Sequence, residues 1–181
     1  MLPLQHAATF NDVVKGTRGG DAKAAGVRAV LFEGPPGCGK TSMGRMIAAK
    51  AGVPLLYVPL EAVVSKWYGE GEKNLARVFA LAEQVGRGEG VLLFLDEVEA
   101  LGMSRDRGEV HEASRRLLSV LLRCVDGFVS ADKVIVIGAT NRVQDIDNAL
   151  KSRFDLSLKF DIPGEVARGD IFAQFTKHLS K

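Results

Sequence analysis

Gly34-Pro35-Pro36-Gly37-Cys38-Gly39-Lys40-Thr41 decides the reading of this chain. The segment satisfies G-x-x-x-x-G-K-[ST] at every fixed position, and a strand should precede it and a helix follow it. Residues 29–32, Ala-Val-Leu-Phe, supply a short apolar run on one side, and residues 42–51 a helical pattern stopped by Gly52 on the other. The glycines let successive backbone N–H groups turn toward one anion without Cβ clashes. The helix N-terminus adds unpaired N–H groups and the positive end of its dipole. In such a loop Lys40 reaches the β- and γ-phosphates of a nucleoside triphosphate, and the Thr41 hydroxyl serves Mg²⁺. Gly34, Pro35, Pro36, Gly37, Cys38, Gly39, Lys40, Thr41 and Ser42 are the candidate nucleotide-binding residues.

A chain of 181 residues has room for one domain with a real core. Its 46% hydrophobic and 25% charged residues are those of an ordinary globular protein. The net charge of +2 lacks the strongly basic footprint of a nucleic-acid binder. Two cysteines, Cys38 and Cys124, make no disulfide framework and fit a reducing, intracellular compartment. No apolar run approaches the ~18 residues of a membrane span, and no secretory signal pattern opens the chain. The sequence reads as soluble, with no targeting segment that names an organelle.

Apolar runs alternate with helical patterns along the chain. Strands are expected over 29–32, 55–58, 91–95, 134–137 and 156–160, and helices over 42–51, 72–85 and 112–125. The strands are short and mostly unbroken, as in a parallel sheet covered on both faces. In the last of those helices Leu117, Leu118, Leu121, Leu122 and Val125 fall at helical spacing, and Asp126-Gly127 is expected to end it. The alternation argues a three-layer α/β fold. Residues 166–178 read as one more helix, opening something that the chain does not finish.

Residues 91–95 form an apolar strand that runs into Asp96-Glu97. Ligands of open α/β sheets lie at the carboxyl ends of the strands, so Asp96 should emerge beside the phosphate loop and hold Mg²⁺ there. Glu97 is placed to orient and deprotonate a water. Two acids ending a strand on a solvated turn is the plainer alternative. Strand 134–137 leads into Gly138-Ala139-Thr140-Asn141, and the Asn141 amide is placed to bond the γ-phosphate or the attacking water.

Together these segments resemble the AAA+ ATPases, over residues from about 27 to 163. The resemblance implies a P-loop NTPase fold, a parallel five-stranded sheet of order 5-1-4-3-2 and the start of a helical lid. It also implies Mg²⁺-dependent ATP hydrolysis in a ring, probable hexamer geometry being the family pattern, with protein substrates remodelled or threaded. Ser65-Lys66-Trp67-Tyr68-Gly69-Glu70 resembles an aromatic pore loop, in which Lys66, Trp67, Tyr68 and Gly69 grip an extended polypeptide; a Trp-Tyr pair packed under a loop is the alternative. Ser152-Arg153-Phe154-Asp155 resembles the segment that sends an arginine finger, Arg153, into a neighbouring subunit; a surface cation near Asp155 is the alternative. Lys151 and Ser152 stand where relatives often carry a second arginine, and Lys lacks the guanidinium fork. Charged residues 105–109 correspond to a second loop near the pore, and 111–128 are closest to a plant and algal branch.

The resemblance divides the chain into an N-terminal helix and loop over 1–26, an ATPase core over 27–163 and the first helix of a truncated lid over 164–181. A nucleotide-binding subunit without hydrolysis of its own is the rival reading, and a nucleic-acid motor a weaker one. Cys38 stands where Thr is commoner, and a thiol beside Lys40 should be easily alkylated.

Overall fold

The computed structural model describes residues 27–65, 70–101, 108–128 and 134–176. The helix and loop expected over 1–26, the expected pore-loop residues Lys66, Trp67, Tyr68 and Gly69, and residues 105–107 of the charged loop lie outside them. Five strands make one parallel sheet: β1 (Ala29–Glu33), β2 (Leu55–Pro59), β3 (Val91–Asp96), β4 (Val134–Thr140) and β5 (Leu156–Lys159), in the order β2-β3-β4-β1-β5. That is the expected order. Among the described residues six α-helices accompany them: α1 (Lys40–Ala51), α2 (Leu60–Ser65), α3 (Gly71–Gly86), α4 (Gly108–Phe128), α5 (Asn148–Lys151) and α6 (Glu165–Thr176).

Side chains of a strand alternate between its faces, and the core divides accordingly. Ala29, Leu31, Leu93, Leu95, Val134 and Val136 point into the larger cluster, closed by Leu75 and Phe79 of α3 and Leu121 and Val125 of α4. Val30, Phe32, Leu92, Phe94 and Ile137 point to the other face, under Ile47 and Ala48 of α1. The central strands β1, β3 and β4 are therefore buried on both sides, while the edge strands β2 and β5 are only partly covered. α1 lies very close to the sheet, because a Cβ on Gly44 would come within 2.5 Å of the Phe94 ring.

Several boundaries shift. β4 runs on to Thr140, because β1 continues to pair with it as far as Glu33↔Thr140. α4 starts four residues before the expected Glu112 and passes Asp126-Gly127 to end at Phe128, so Gly108 and Glu109 are helical rather than part of a loop. The short helices α2 and α5 had no apolar periodicity long enough to announce them. The helix α2 follows β2 without a break, at Leu60.

Register brings the carboxyl ends of the strands level. Glu33 sits opposite Thr140, and Pro59 opposite Asp96. The loop after β1, the acids after β3 and Asn141 after β4 consequently share one end of the sheet. The opposite end is tied by Asp155, whose Oδ2 accepts the backbone N–H of Arg28 at 2.8 Å and of Ala29 at 2.9 Å.

A candidate nucleotide site at the carboxyl ends of the strands

The loop between β1 and α1 is built on left-handed glycines. Gly37 and Gly39 have φ of 78° and 89°, which only glycine adopts without strain, and a Cβ at either would meet nothing within 4 Å. Pro35, Pro36 and Gly37 are exposed, Gly34, Cys38 and Gly39 half-buried, and Ser42 exposed on the first turn of α1. The Cys38 thiol lies 4.0 Å from the Pro36 carbonyl oxygen.

Lys40 is buried, at 6% exposure. Its ammonium donates to the carbonyl oxygens of Gly34 at 2.7 Å and Pro35 at 2.8 Å, and to Asn141 Oδ1 at 2.8 Å. Burial lowers its pKa, opposed by the charges of Cys38, Asp96 and Glu99. The structure thus joins the loop lysine directly to the asparagine after β4.

Asp96 is held from three directions. Its Oδ2 accepts the Thr41 hydroxyl at 3.2 Å and the Tyr57 hydroxyl at 2.8 Å, and its Oδ1 accepts the Glu97 backbone N–H at 3.1 Å. Tyr57 stacks on Phe94, with ring centroids 6.0 Å apart and planes 20° from parallel. Partial burial, then the Asp96 bond and the nearby carboxylates, push the Tyr57 phenol up to about 12. It therefore remains a hydrogen-bond donor across ordinary pH.

Glu97 has φ of 59°, the one positive value at a non-glycine among the described residues. Such backbone costs ~1–3 kcal/mol and clusters at functional sites. Hydrogen bonding with the Glu61 carboxyl of α2 first, then burial and the charges of Glu61, Asp96 and Glu99, raises its pKa above the ordinary value. Glu99, in the 3₁₀ turn Val98–Leu101, is 6% exposed. Its Oε1 accepts the Asn141 backbone N–H at 3.0 Å, while Oε2 is buried without a hydrogen-bond partner among the described residues.

Arg153 is not part of this constellation. Its Nε lies 2.6 Å from Asp126 Oδ1, near the end of α4, and its Nη1 donates to Ser152 Oγ at 3.1 Å. Asp155, the neighbour expected from sequence, is engaged instead with the start of β1. Three residues of the site had no sequence signal: Tyr57, Glu61 and Glu99. The one available hint was the acid two residues beyond Glu97.

A glycine loop at a helix N-terminus, a buried lysine and a carboxylate on the next strand but one are the arrangement of a P-loop nucleotide-binding fold. The model of the ATPase family associated with various cellular activities (AAA) matches residues 30–162, and the chain belongs to that family. Fidgetin-like protein 1 of Homo sapiens is 38% identical over 146 residues, covering 80% of this chain and 21% of that protein. Spastin of Bos taurus is 39% identical over 146 residues, and the ribosome biogenesis ATPase RIX7 of Saccharomyces cerevisiae 37% over 158. The crystal structure of the FIGL-1 AAA domain in complex with ADP superposes with a TM-score of 0.79 at 29% identity, covering 98% of this chain and 59% of that one. The chain thus spans about a fifth of the length of the curated relatives it matches.

Proposed function

We propose that this chain is an ATP-hydrolysing AAA core that works in a ring and remodels or threads protein substrates. One observation carries the reading. Lys40, Thr41, Asp96 and Asn141 belong to three different strand–loop junctions, yet hydrogen bonds connect them at one end of the sheet, with Glu97 beside them. Lys40 and the loop N–H groups bind the phosphates; the ammonium exchanges its present acceptors for phosphate oxygens as nucleotide enters. Asn141 positions the γ-phosphate or the attacking water, and Glu97 takes the proton from that water.

The donors suit Mg²⁺. Thr41 Oγ1 and Asp96 Oδ2 are hard oxygens 3.2 Å apart, and Mg²⁺ is commonly bound through one or two such side chains together with substrate phosphates. No group of three or more His, Cys, Asp or Glu that could hold a metal occurs among the described residues, which fits a cation shared with a nucleotide. Bound there, Mg²⁺ would supply charge neutralisation on the phosphates.

Ring action rests on Arg153, read as a residue that serves the adjacent subunit's nucleotide, and on Lys66, Trp67, Tyr68 and Gly69, read as the loop that grips substrate. The division into a core over 27–163 and the opening helix of a lid rests on α6, whose Val166 and Phe172 are 82% and 71% exposed. Membrane and nucleic acid are not among the proposed partners: no described helix is long and apolar enough to cross a bilayer, and the net charge is only +2. Free Cys38 and Cys124 accord with an intracellular site of action.

Phosphate release measured against protein concentration, with mass recorded in parallel, tests this reading. Turnover per subunit should rise as oligomers form. A rate that stays at zero while nucleotide binds would establish the rival, a binding subunit without hydrolysis.

A further inference from the structure

We infer that Tyr57 is a positioning residue for the Asp96 carboxylate, and through it for the divalent cation and phosphates of this site. The inference rests on the reading of Asp96 as a metal holder. Leu92, Phe94 and Asp96 alternate with Leu93 and Leu95, so Asp96 lies on the sheet face that α1 covers. Tyr57 is on the neighbouring strand, opposite Phe94 in the register, and its ring stacks on that phenylalanine. With the ring set there, the hydroxyl reaches two residues along the partner strand and donates to Asp96 Oδ2 at 2.8 Å.

Two donors meet on that oxygen, and they are not equivalent. Thr41 is the longer contact, at 3.2 Å. A threonine hydroxyl has one proton and two lone pairs, so it can serve a cation while its proton remains on Asp96. Tyr57 is the shorter contact and comes from outside the phosphate loop, so it holds the carboxylate whatever the loop does. Hydrogen bonds to an ionised acceptor are about twice as strong as neutral ones. Loss of the outer partners of metal ligands typically costs ~10–100-fold in metal affinity or activity.

Tyr57→Phe keeps the stacked ring and removes only the hydroxyl, at a residue that is 44% exposed. The full chain, loaded with a non-hydrolysable ATP analogue, is titrated with Mn²⁺ and followed by electron paramagnetic resonance. Y57F should weaken Mn²⁺ binding about tenfold, with the melting temperature and the metal-free affinity for the analogue unchanged. On an Asp96→Asn background the same change should cost little more. Wild-type Mn²⁺ affinity in Y57F overturns the inference, as does an equal loss with and without Asp96, or an equal loss of analogue affinity measured in EDTA without metal. A wild-type chain that binds no Mn²⁺ with the analogue overturns the reading of Asp96 and this inference together. A wild-type chain that binds Mn²⁺ normally, matched by Y57F, overturns the inference alone.

Discussion

The two ends of the candidate machinery are held by different physics. Around Asp96 and Asn141 the functional side chains stand on adjacent buried strands, and sheet register brings them together. Lys40 and Glu99 are each 6% exposed, so their hydrogen bonds are made where an unpaired group would be costly. Arg153 follows the short helix α5, and its ion pair with Asp126 leaves the two side chains 38% and 50% exposed. The Nε itself is buried, but with both side chains partly open to solvent the pair is worth about 1 kcal/mol. The nucleotide end is held by several hydrogen bonds from the buried Lys40, whereas the arginine rests on one partly exposed carboxylate.

The sharpest way to break that contrast is Arg153→Ala. If the arginine acts on a neighbour, turnover in the assembled state should fall ~10³–10⁵-fold with nucleotide affinity retained. Mixing this variant with Glu97→Gln subunits should restore part of the rate, and a rate equal to the wild type's would leave Arg153 as the surface cation it resembles in isolation. Glu97→Gln alone should lower turnover ~10²–10⁴-fold while ATP still binds. Filter binding and phosphate release on one preparation separate the two effects.

Stability distinguishes the regions next. Glu99→Ala leaves the Asn141 N–H without its acceptor at 3.0 Å, so unfolding in urea should show a loss of ~1–3 kcal/mol. Asp126→Ala removes an exposed partner and should cost no more than about 1 kcal/mol. Similar losses from the two variants would erase the distinction drawn here.

The subtlest expectation concerns pH. The Glu97 carboxyl is raised by its bond to Glu61, by burial and by neighbouring carboxylates. A base must be ionised, so activity is lost as pH falls through that raised value, which lies above the ~4.3 of an ordinary Glu. Glu61→Gln removes one negative charge, and the acid limb of the kcat profile should move to lower pH. The stability sign is opposite: a raised carboxyl favours folding below its unfolded value, and that contribution disappears as pH rises through the folded one. The kcat profile checks the first sign, and melting profiles of wild type and Glu61→Gln across the acid range check the second.

Much of this was legible along the chain. The 34–41 loop, the strand ending in Asp96-Glu97 and the strand before Asn141 stand where they were read, and the family pattern implied the observed strand order. Local patterns sufficed because each pairs a continuous apolar run with a chemical group at its end. Tyr57 and Glu61 were not legible, because nothing within a few residues of either marks a role, and Glu99 had only its nearness to Glu97. The Asp126 contact of Arg153 was not legible either: the plainer alternative had set it near Asp155, but that carboxylate is committed to β1.

The sequence by itself determined that a phosphate-binding loop would sit between a buried strand and a helix, with acids ending another strand. Loop chemistry and period-2 burial are local and survive being read one residue at a time. Only the tertiary structure decided which groups touch. Lys40 meets Asn141 across 101 residues, Tyr57 meets Asp96 across 39, and Glu99 meets the Asn141 N–H across 42. Those contacts are consequences of strand order and register, which bring distant carboxyl ends level and turn separate motifs into one hydrogen-bonded site.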